Sequence, residues 1–378
     1  MSHHPLPTTP APILLLQIDR LPCPQKISFE TYIQTADEPS QMNIRQLTFH
    51  RNEFIDSLHL RDIQKTIETC ERYASFLLGF VESVRNSPAP VRTIGPLNFV
   101  WTSAFERDEL KEYMAYTYRF EVVMTLLTLA FSYINLAFEL FREEPTKKYK
   151  ETIANLKTAA MIFDHVSANE LPLWIEPPKE RPPEIDANFI TKFGIHCLCM
   201  AQSISIRNGI ANGTITSIAL SKLSLFISKS CDELTSSTET NPNYAKHGSF
   251  VYWNFFSVQS IIYFVFAQML AAQDDYSEGL GWYGHACARM AQCIKVFARI
   301  NDHRQLGHLS FHEEQISTFY DFCIELDAKY TKENDNIYSE IVPDMPLDLP
   351  APMQFVKLDP ENGKWTPPRP AFTKLAIH

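Results

Sequence analysis

Residues 120–141 of this 378-residue chain, FEVVMTLLTLAFSYINLAFELF, decide the fold. Apolar side chains recur along one helical face of the stretch, and no charged residue lies between Glu121 and Glu139. Pro145 ends the pattern because proline lacks a backbone N–H and disfavours a helical residue before it. The apolar face consists of Val122, Leu126, Leu129, Tyr133, Leu136 and Leu140. A helix that is apolar on nearly every side must be covered by other helices.

A second, amphipathic helix is predicted directly after this one. Its apolar stripe consists of Tyr149, Ile153, Leu156, Ala160 and Phe163, and lysines occupy the opposite face. Because the connection is short, the two helices should form an antiparallel hairpin inside a larger helical stack. Further helices are predicted over residues 62–84, 185–207, 216–234, 250–272, 276–298 and 311–330. Helix pairs separated by loops indicate a TPR-like architecture.

The two ends of the chain have a different character. Residues 1–11 are rich in proline and histidine and are predicted to be loose. Residues 13–18 (ILLLQI) and 26–34 (KISFETYIQ) have the β-branched and aromatic content of strands, so a small sheet is predicted within residues 12–40. The proline-rich residues 343–378 are predicted to form an extended strap that lies back on the helices.

Composition narrows the class of protein. The net charge of -10 disfavours nucleic acid as a partner, because phosphate binding requires a basic surface. Eight cysteines without regular spacing, most of them in apolar runs, predict a reduced intracellular chain. Residues 122–138 and 248–273 resemble membrane spans, but dispersed polar residues in the second favour a buried core helix.

Residues that could perform catalysis are scarce. The sequence contains no phosphate-binding glycine loop, no nucleophile elbow and no HExxH helix, so we expect neither an enzyme nor a cofactor. His303, His308, His312 and Glu313 have spacings that a metal could use, but they are interpreted as exposed side chains of a polar loop. Cys197 and Cys199, beside His196, would point to different faces of a helix, which favours core packing over thiol chemistry.

Two helix ends form the main candidate for a binding site. Residues 200–207 end one helix and residues 218–224 (IALSKLS) begin its partner, with Lys222 and Arg207 flanking the junction. The apolar residues brought together there are Ile204, Ile206, Leu220 and Leu223. The pattern fits either ordinary interhelical packing or a groove for an amphipathic partner helix. Tyr338, between a helix and Pro343, fits either a packed turn or an exposed docking tyrosine.

Five short motifs occur along the chain in a fixed order. They are FVWTSAF (99–105), LKTAAMIFDH (156–165), AQ (201–202), YGHACAR (283–289) and NDNIYSEIVPD (334–344). Together they resemble the Bro domain of the Alix and Brox family, and residues 156–177 are most similar to single-domain Brox-like members. The resemblance implies one mainly α, boomerang-shaped Bro domain over residues 12–378, with a TPR-like helical hairpin core at 60–342 and a small N-terminal β-sheet.

The resemblance also implies a function. It points to a non-enzymatic adaptor that binds the C-terminal amphipathic helix of ESCRT-III subunits, of the charged multivesicular body protein type, in a hydrophobic groove. Such an adaptor would act in endosomal sorting, multivesicular body formation and membrane scission, as a cytoplasmic monomer recruited to endosomal membranes, with peripheral membrane contact. The alternatives are a membrane-associated structural scaffold and a pH-response signalling adaptor of the same family.

The positions of the motifs imply which residues of this chain correspond to the family's groove. The implied groove consists of Ile204, Ser205 or Ile206, Ala219 or Leu220, Lys222, Leu223 and Phe355. Tyr338 corresponds to a tyrosine that is a kinase target in some relatives. An acidic amphipathic helix would suit a groove flanked by lysines.

Overall fold

The computed structural model describes residues 13–87, 94–106, 111–239, 252–303, 311–359 and 363–375. These residues fall into two compact units. The C-terminal unit contains residues 195–239 and 252–357 together with residues 13–15, and the N-terminal unit contains residues 16–194 and 358–375, apart from the gaps. The predicted loose N-terminus lies outside the described residues. The single-domain assignment stays a prediction.

Nine long helices carry the described part of the chain. They are α1 (Glu38–Leu60), α2 (Ile63–Arg85), α3 (Tyr118–Glu143), α4 (Tyr149–His165), α5 (Ala187–Ala211), α6 (Ser217–Glu239), α7 (Trp253–Glu278), α8 (Tyr283–Phe297) and α9 (Glu313–Glu333). In the N-terminal unit α1 to α4 pack neighbour on neighbour, and in the C-terminal unit α6 to α9 do the same. The mainly helical prediction is confirmed.

Local chemistry sets several helix ends. Asp37 and Asp62 cap α1 and α2 by accepting hydrogen bonds from the backbone N–H groups of Ser40 and Lys65. Two predicted boundaries were wrong. Helix α7 continues past residue 272, where no helix-breaking residue stands, and ends only before Gly279, so α8 begins at Tyr283 and not at residue 276. Gly279 has a φ of +94°, a backbone conformation that favours glycine.

The small sheet exists, but the strands predicted for it do not form it. Strand β1 (Phe99–Trp101) pairs antiparallel with β2 (Tyr113–Ala115). Residues 13–18 and 26–34 form no strand; only isolated bridge positions occur there, at Ile33 and, between the two segments, at Pro24, which bridges to Trp101. Residues 13–16 are all buried, so the segment lacks the alternation that a half-exposed strand needs. Side chains bind its backbone: Asn135 donates to and accepts from the main chain of Ile18.

The predicted core hairpin is α3 with α4 in the N-terminal unit. At the start of α3, the buried carboxylate of Glu121 accepts hydrogen bonds from Arg51 Nε at 2.7 Å, Tyr73 Oη at 2.6 Å and Trp101 Nε1 at 2.6 Å. Three donors satisfy this charge away from water. Trp101 of the FVWTSAF motif therefore ties β1 to three helices.

Three helices are long and apolar enough to cross a membrane by length and composition: Tyr118–Glu143, Ala187–Ala211 and Asn254–Glu278. In the most apolar window of each, 89%, 78% and 78% of the residues are buried inside the protein. These helices therefore bury most of their apolar surface against other parts of the chain.

Candidate partner-binding site

The predicted groove lies where the strap crosses α6 in the C-terminal unit. The backbone N–H of Met353 donates to the carbonyl of Lys222 at 3.0 Å. Two residues further along, the N–H of Phe355 donates to Oε1 of Gln202 on α5 at 2.7 Å. The strap is thus fixed to both helices through its main chain. The AQ motif of residues 201–202 supplies the glutamine.

Gln202 connects α5, α6 and the strap through one fully buried amide. Its Nε2 donates to the carbonyl of Leu223 at 2.8 Å and to that of Met353 at 3.3 Å. Its Oε1 accepts from Phe355 N and from Val356 N at 3.3 Å. A buried amide with both ends satisfied holds its neighbours in one arrangement. Sequence reasoning quoted this residue only as part of a motif and missed its role.

The eight predicted groove residues divide by exposure. Four are buried in the helical core: Ile204, Ile206, Leu220 and Leu223. Ser205, Ala219 and Lys222 are half-buried, and Phe355 is 66% exposed. Ser221 Oγ donates to the carbonyl of Ala267 at 2.8 Å, which turns that side of α6 toward α7. The buried four can support a partner-binding surface but cannot anchor a partner directly.

The accessible part of this region is a stripe along α6 with the strap beside it. Ala219, Lys222 and Phe226 follow one another at helical spacing and are each half-buried. Phe355 and the partly exposed Met353 belong to the strap segment that crosses there. The Lys222 ammonium makes no ion pair with any described residue. We call Ala219, Lys222, Phe226, Met353 and Phe355 the α6–strap surface.

Tyr338 lies in a packed turn. Its half-buried ring stacks on Tyr283 with centroids 3.5 Å apart and planes 10° apart. The hydrogen bond with Tyr338, with a smaller contribution from desolvation, raises the pKa of Tyr283 to about 12. The Asn334 side chain exchanges hydrogen bonds with the backbone of Glu340 and closes the turn. Of the two readings of this segment, the structure has the packed turn.

The YGHACAR motif also serves the strap. A Cβ on Gly284 would meet the Ile341 carbonyl oxygen at 2.3 Å, so glycine allows the strap to pack directly on α8. Arg289 is buried and donates to Asp275 Oδ2 at 2.6 Å and to the Leu347 carbonyl at 2.8 Å. The motif therefore fixes residues 341–347.

Several of the residues considered for a metal site or for thiol chemistry are buried in the described part of the chain. Among the residues that the structure describes, no three His, Cys, Asp or Glu side chains are placed to hold a metal ion. His312, predicted to be exposed, is buried with its Nε2 3.0 Å from the Leu15 carbonyl, while His308 lies outside the described residues. Cys197 and Cys199 are buried free thiols, and burial raises the pKa of Cys199 to about 12.

A family model described as BRO1-like domain matches residues 25–375 of the chain. The chain belongs to the BRO1-like domain family. The BRO1 domain-containing protein BROX of Mus musculus is 24% identical over 373 residues, covering 90% of this chain and 86% of the relative. The five motifs all lie within the residues that match the family model.

Solved structures share the BRO1 fold. The structure entitled "ALIX BRO1 CHMP4C complex" superposes with a TM-score of 0.70 at 17% identity, covering 96% of this chain and 99% of that one. A second, "Structure basis for endosomal targeting by the Bro1 domain", gives a TM-score of 0.66 at 19% identity, covering 90% and 92%. At these identities the similarity is one of fold. In this BRO1 chain, Gln202, Gly284 and Arg289 are among the residues that hold the strap.

Proposed function

We propose that this BRO1-domain chain is a non-enzymatic adaptor that binds the C-terminal amphipathic helix of an ESCRT-III subunit at the α6–strap surface. The observation that carries the proposal is this surface itself, where an exposed and a half-buried aromatic ring accompany Lys222, whose ammonium makes no ion pair with the described part of the chain. Family membership supports it, as does the fold shared with a BRO1 domain whose structure is a complex with CHMP4C.

The surface suits an acidic amphipathic helix. Apolar anchors of such a helix would lie on Phe226 and Phe355, and a carboxylate would pair with Lys222. The buried Ile204, Ile206, Leu220 and Leu223 hold the backbone beneath these contacts, with Ser205 beside them. Binding of this kind would recruit the protein from the cytoplasm to endosomal membranes during sorting. Modification of Tyr338 stays a prediction, and a kinase would first have to separate its ring from Tyr283.

The test is the affinity of the chain for a labelled C-terminal helix peptide of an ESCRT-III subunit. Phe355→Ala should weaken binding about thirtyfold, the cost of about 2 kcal/mol for a lost hot-spot contact. Lys222→Glu should also weaken peptide binding, and the loss of affinity should be larger at low salt than at high salt, because the lost attraction is electrostatic. Leu223→Asp is unsuitable, since Leu223 is only 3% exposed and the charge would unfold α6.

Two matched variants serve as controls. Phe49→Ala removes an exposed phenylalanine of α1, and Lys157→Glu reverses a half-buried lysine of α4. Both should bind the peptide like the wild type. If the wild type does not bind any ESCRT-III helix, or if Phe355→Ala binds as tightly as Phe49→Ala, the assignment of this surface is wrong.

A further inference from the structure

A tight turn between α7 and α8 presents two large apolar side chains to solvent. The turn is closed by a hydrogen bond of 3.0 Å from Trp282 N to the carbonyl of Gly279. Leu280, between Gly279 and Gly281, is 82% exposed, and Trp282 is also exposed. Both glycines have φ above +90°, a conformation that other residues rarely adopt. The backbone therefore holds Leu280 outward in a fixed geometry.

The start of the strap adds two more apolar side chains beside this turn. Ile341 is 92% exposed, and Val342 is exposed as well. Glu340, the preceding residue, accepts hydrogen bonds from Gly281 N at 2.5 Å and from Gly284 N at 3.0 Å. Although desolvation opposes it, these backbone hydrogen bonds lower the pKa of Glu340. The carboxylate thus fastens the two exposed segments together at neutral pH.

Leu280, Trp282, Ile341 and Val342 form what we call the turn patch. Exposed apolar residues scattered singly are ordinary, but these four lie on two segments that a carboxylate joins, in a turn that two positive-φ glycines shape. Asn334 adds rigidity, because its side chain bonds the backbone of Glu340 at 2.9 Å and 3.1 Å. A rigid apolar surface binds with little loss of conformational entropy.

The charges around the turn patch indicate what would bind there. Residues 274–289 and 329–348 contain eight aspartates and glutamates but only three lysines and arginines. Of these bases, Arg289 is buried against Asp275, and Lys329 lies over the ring of Tyr276. The exposed Glu278 and Asp344 each lie two residues from the patch along the chain, Glu278 before Leu280 and Asp344 after Val342. The apolar surface therefore has an acidic rim.

We propose that the turn patch docks a basic amphipathic peptide segment of a partner protein. The apolar anchors of the segment would pack on Leu280 and Ile341, and its lysines or arginines would meet Glu278 and Asp344. An anionic membrane or a second copy of this acidic chain would be repelled by the same rim. The turn patch shares no residue with the α6–strap surface, so variants at one leave the residues of the other unchanged and the two proposals can fail independently.

To test the proposal, a display library of random 12-residue peptides is selected for binding to the folded wild-type chain. The Leu280→Ser/Ile341→Ser double variant is used for counter-selection, and enriched peptides are then synthesised. The proposal expects peptides with apolar anchors flanked by lysine or arginine, and at least about tenfold weaker binding to the double variant. A Met42→Ser/Ile175→Ser variant, with two exposed apolar residues removed elsewhere, should bind them like the wild type.

Several outcomes would overturn the proposal. They are the absence of peptides that distinguish the two proteins, enrichment of acidic or uncharged peptides, and equal binding by a charge-reversed peptide. Sedimentation of the wild type, alone and with phosphatidylserine vesicles, tests the two other occupants, a second copy of the chain and a lipid surface. Self-association or vesicle binding that the double variant loses would assign the patch to a second copy or to a lipid surface, contrary to the proposal.

Discussion

At the scale of single residues, the buried side chain of Gln202 holds the strap on α5 and α6 through its hydrogen bonds. Replacing it by leucine leaves the part-buried N–H of Phe355 and the buried N–H of Val356 without their acceptor. We expect Gln202→Leu to lower the free energy of unfolding by about 1–3 kcal/mol, measured by urea denaturation. It should also weaken ESCRT-III peptide binding, because Phe355 loses its position.

The matched control for this prediction is Gln41→Leu, at an exposed glutamine of α1. A surface substitution of this kind should change stability by less than about 0.5 kcal/mol. Equal stability of the two variants would show that the amide of Gln202 does not hold the strap.

Glu184 gives a pH dependence to the N-terminal unit. Its buried carboxylate accepts hydrogen bonds from Ser103 Oγ at 2.6 Å and Ala104 N at 3.0 Å, yet burial raises its pKa from 4.5 to about 7. The folded state therefore binds the proton more tightly than the unfolded state does. Stability associated with this group is present below pH 4.5 and is lost as the pH rises through about 7.

Glu184→Gln should remove that loss, because glutamine carries no charge, while its oxygen can still accept from Ala104 N and its amide nitrogen can donate to Ser103 Oγ. In urea unfolding at pH 5 and pH 8, we expect the variant to gain on the wild type at the higher pH by up to about 3 kcal/mol. Glu176→Gln, at an exposed glutamate, should keep the wild-type pH dependence. A parallel decline in wild type and Glu184→Gln would contradict the raised pKa.

At the scale of elements, α8 and the strap depend on a glycine. A Cβ at Gly284 would lie 2.3 Å from the Ile341 carbonyl oxygen, so Gly284→Ala must push the strap away from α8. We expect a loss of about 1–3 kcal/mol in stability and faster amide hydrogen exchange in residues 341–347. Gly95→Ala, where no atom lies within 4 Å of the new methyl group, should show neither effect.

The same scale shows what the sequence could predict. Helices α3 and α4 follow from their apolar periodicity, and the core hairpin was predicted almost to the residue. Helix α1 was missed because its buried side includes Arg51, Thr48 and Ser57, which obscure the apolar stripe. Arg51 is buried only because Glu121, 70 residues later in the chain, accepts its hydrogen bonds. Pairing at that separation leaves no local signal.

The structure brings the α6 and strap residues of the candidate site together, but the sequence did not predict which of them are exposed. The α5 and α6 ends do meet the strap at Lys222 and Phe355, as the motif positions implied. Periodicity cannot tell which apolar side chains of α6 face α7, so Leu220 and Leu223 looked equivalent to Phe226. The role of Gln202 was beyond reach because it depends on the path of a strap with no regular secondary structure.

At the scale of the whole molecule, the reactivity of the cysteine thiols distinguishes the folded from the unfolded chain. All eight cysteines are free, and every one except Cys23 is buried. Burial raises the pKa of Cys23 to about 11, although Arg51 opposes this. At pH 8 we expect even Cys23 to react with an alkylating reagent about a hundredfold more slowly than an unperturbed thiol. Labelling of all eight in the native protein at the rate seen in urea would contradict the described core.

The fastening of the strap has a consequence for which mutations the protein can tolerate. Its hold depends on main-chain groups: the N–H groups of Met353, Phe355, Val356 and Ala371 all donate to the helices beneath. Prolines 350, 352 and 370 stand at neighbouring positions, where no donor is used. Apart from the packed Val356, Trp365, Phe372 and Leu375, side chains along this segment can therefore vary without loosening it, whereas a new proline at any of the four donor positions would remove one of these hydrogen bonds.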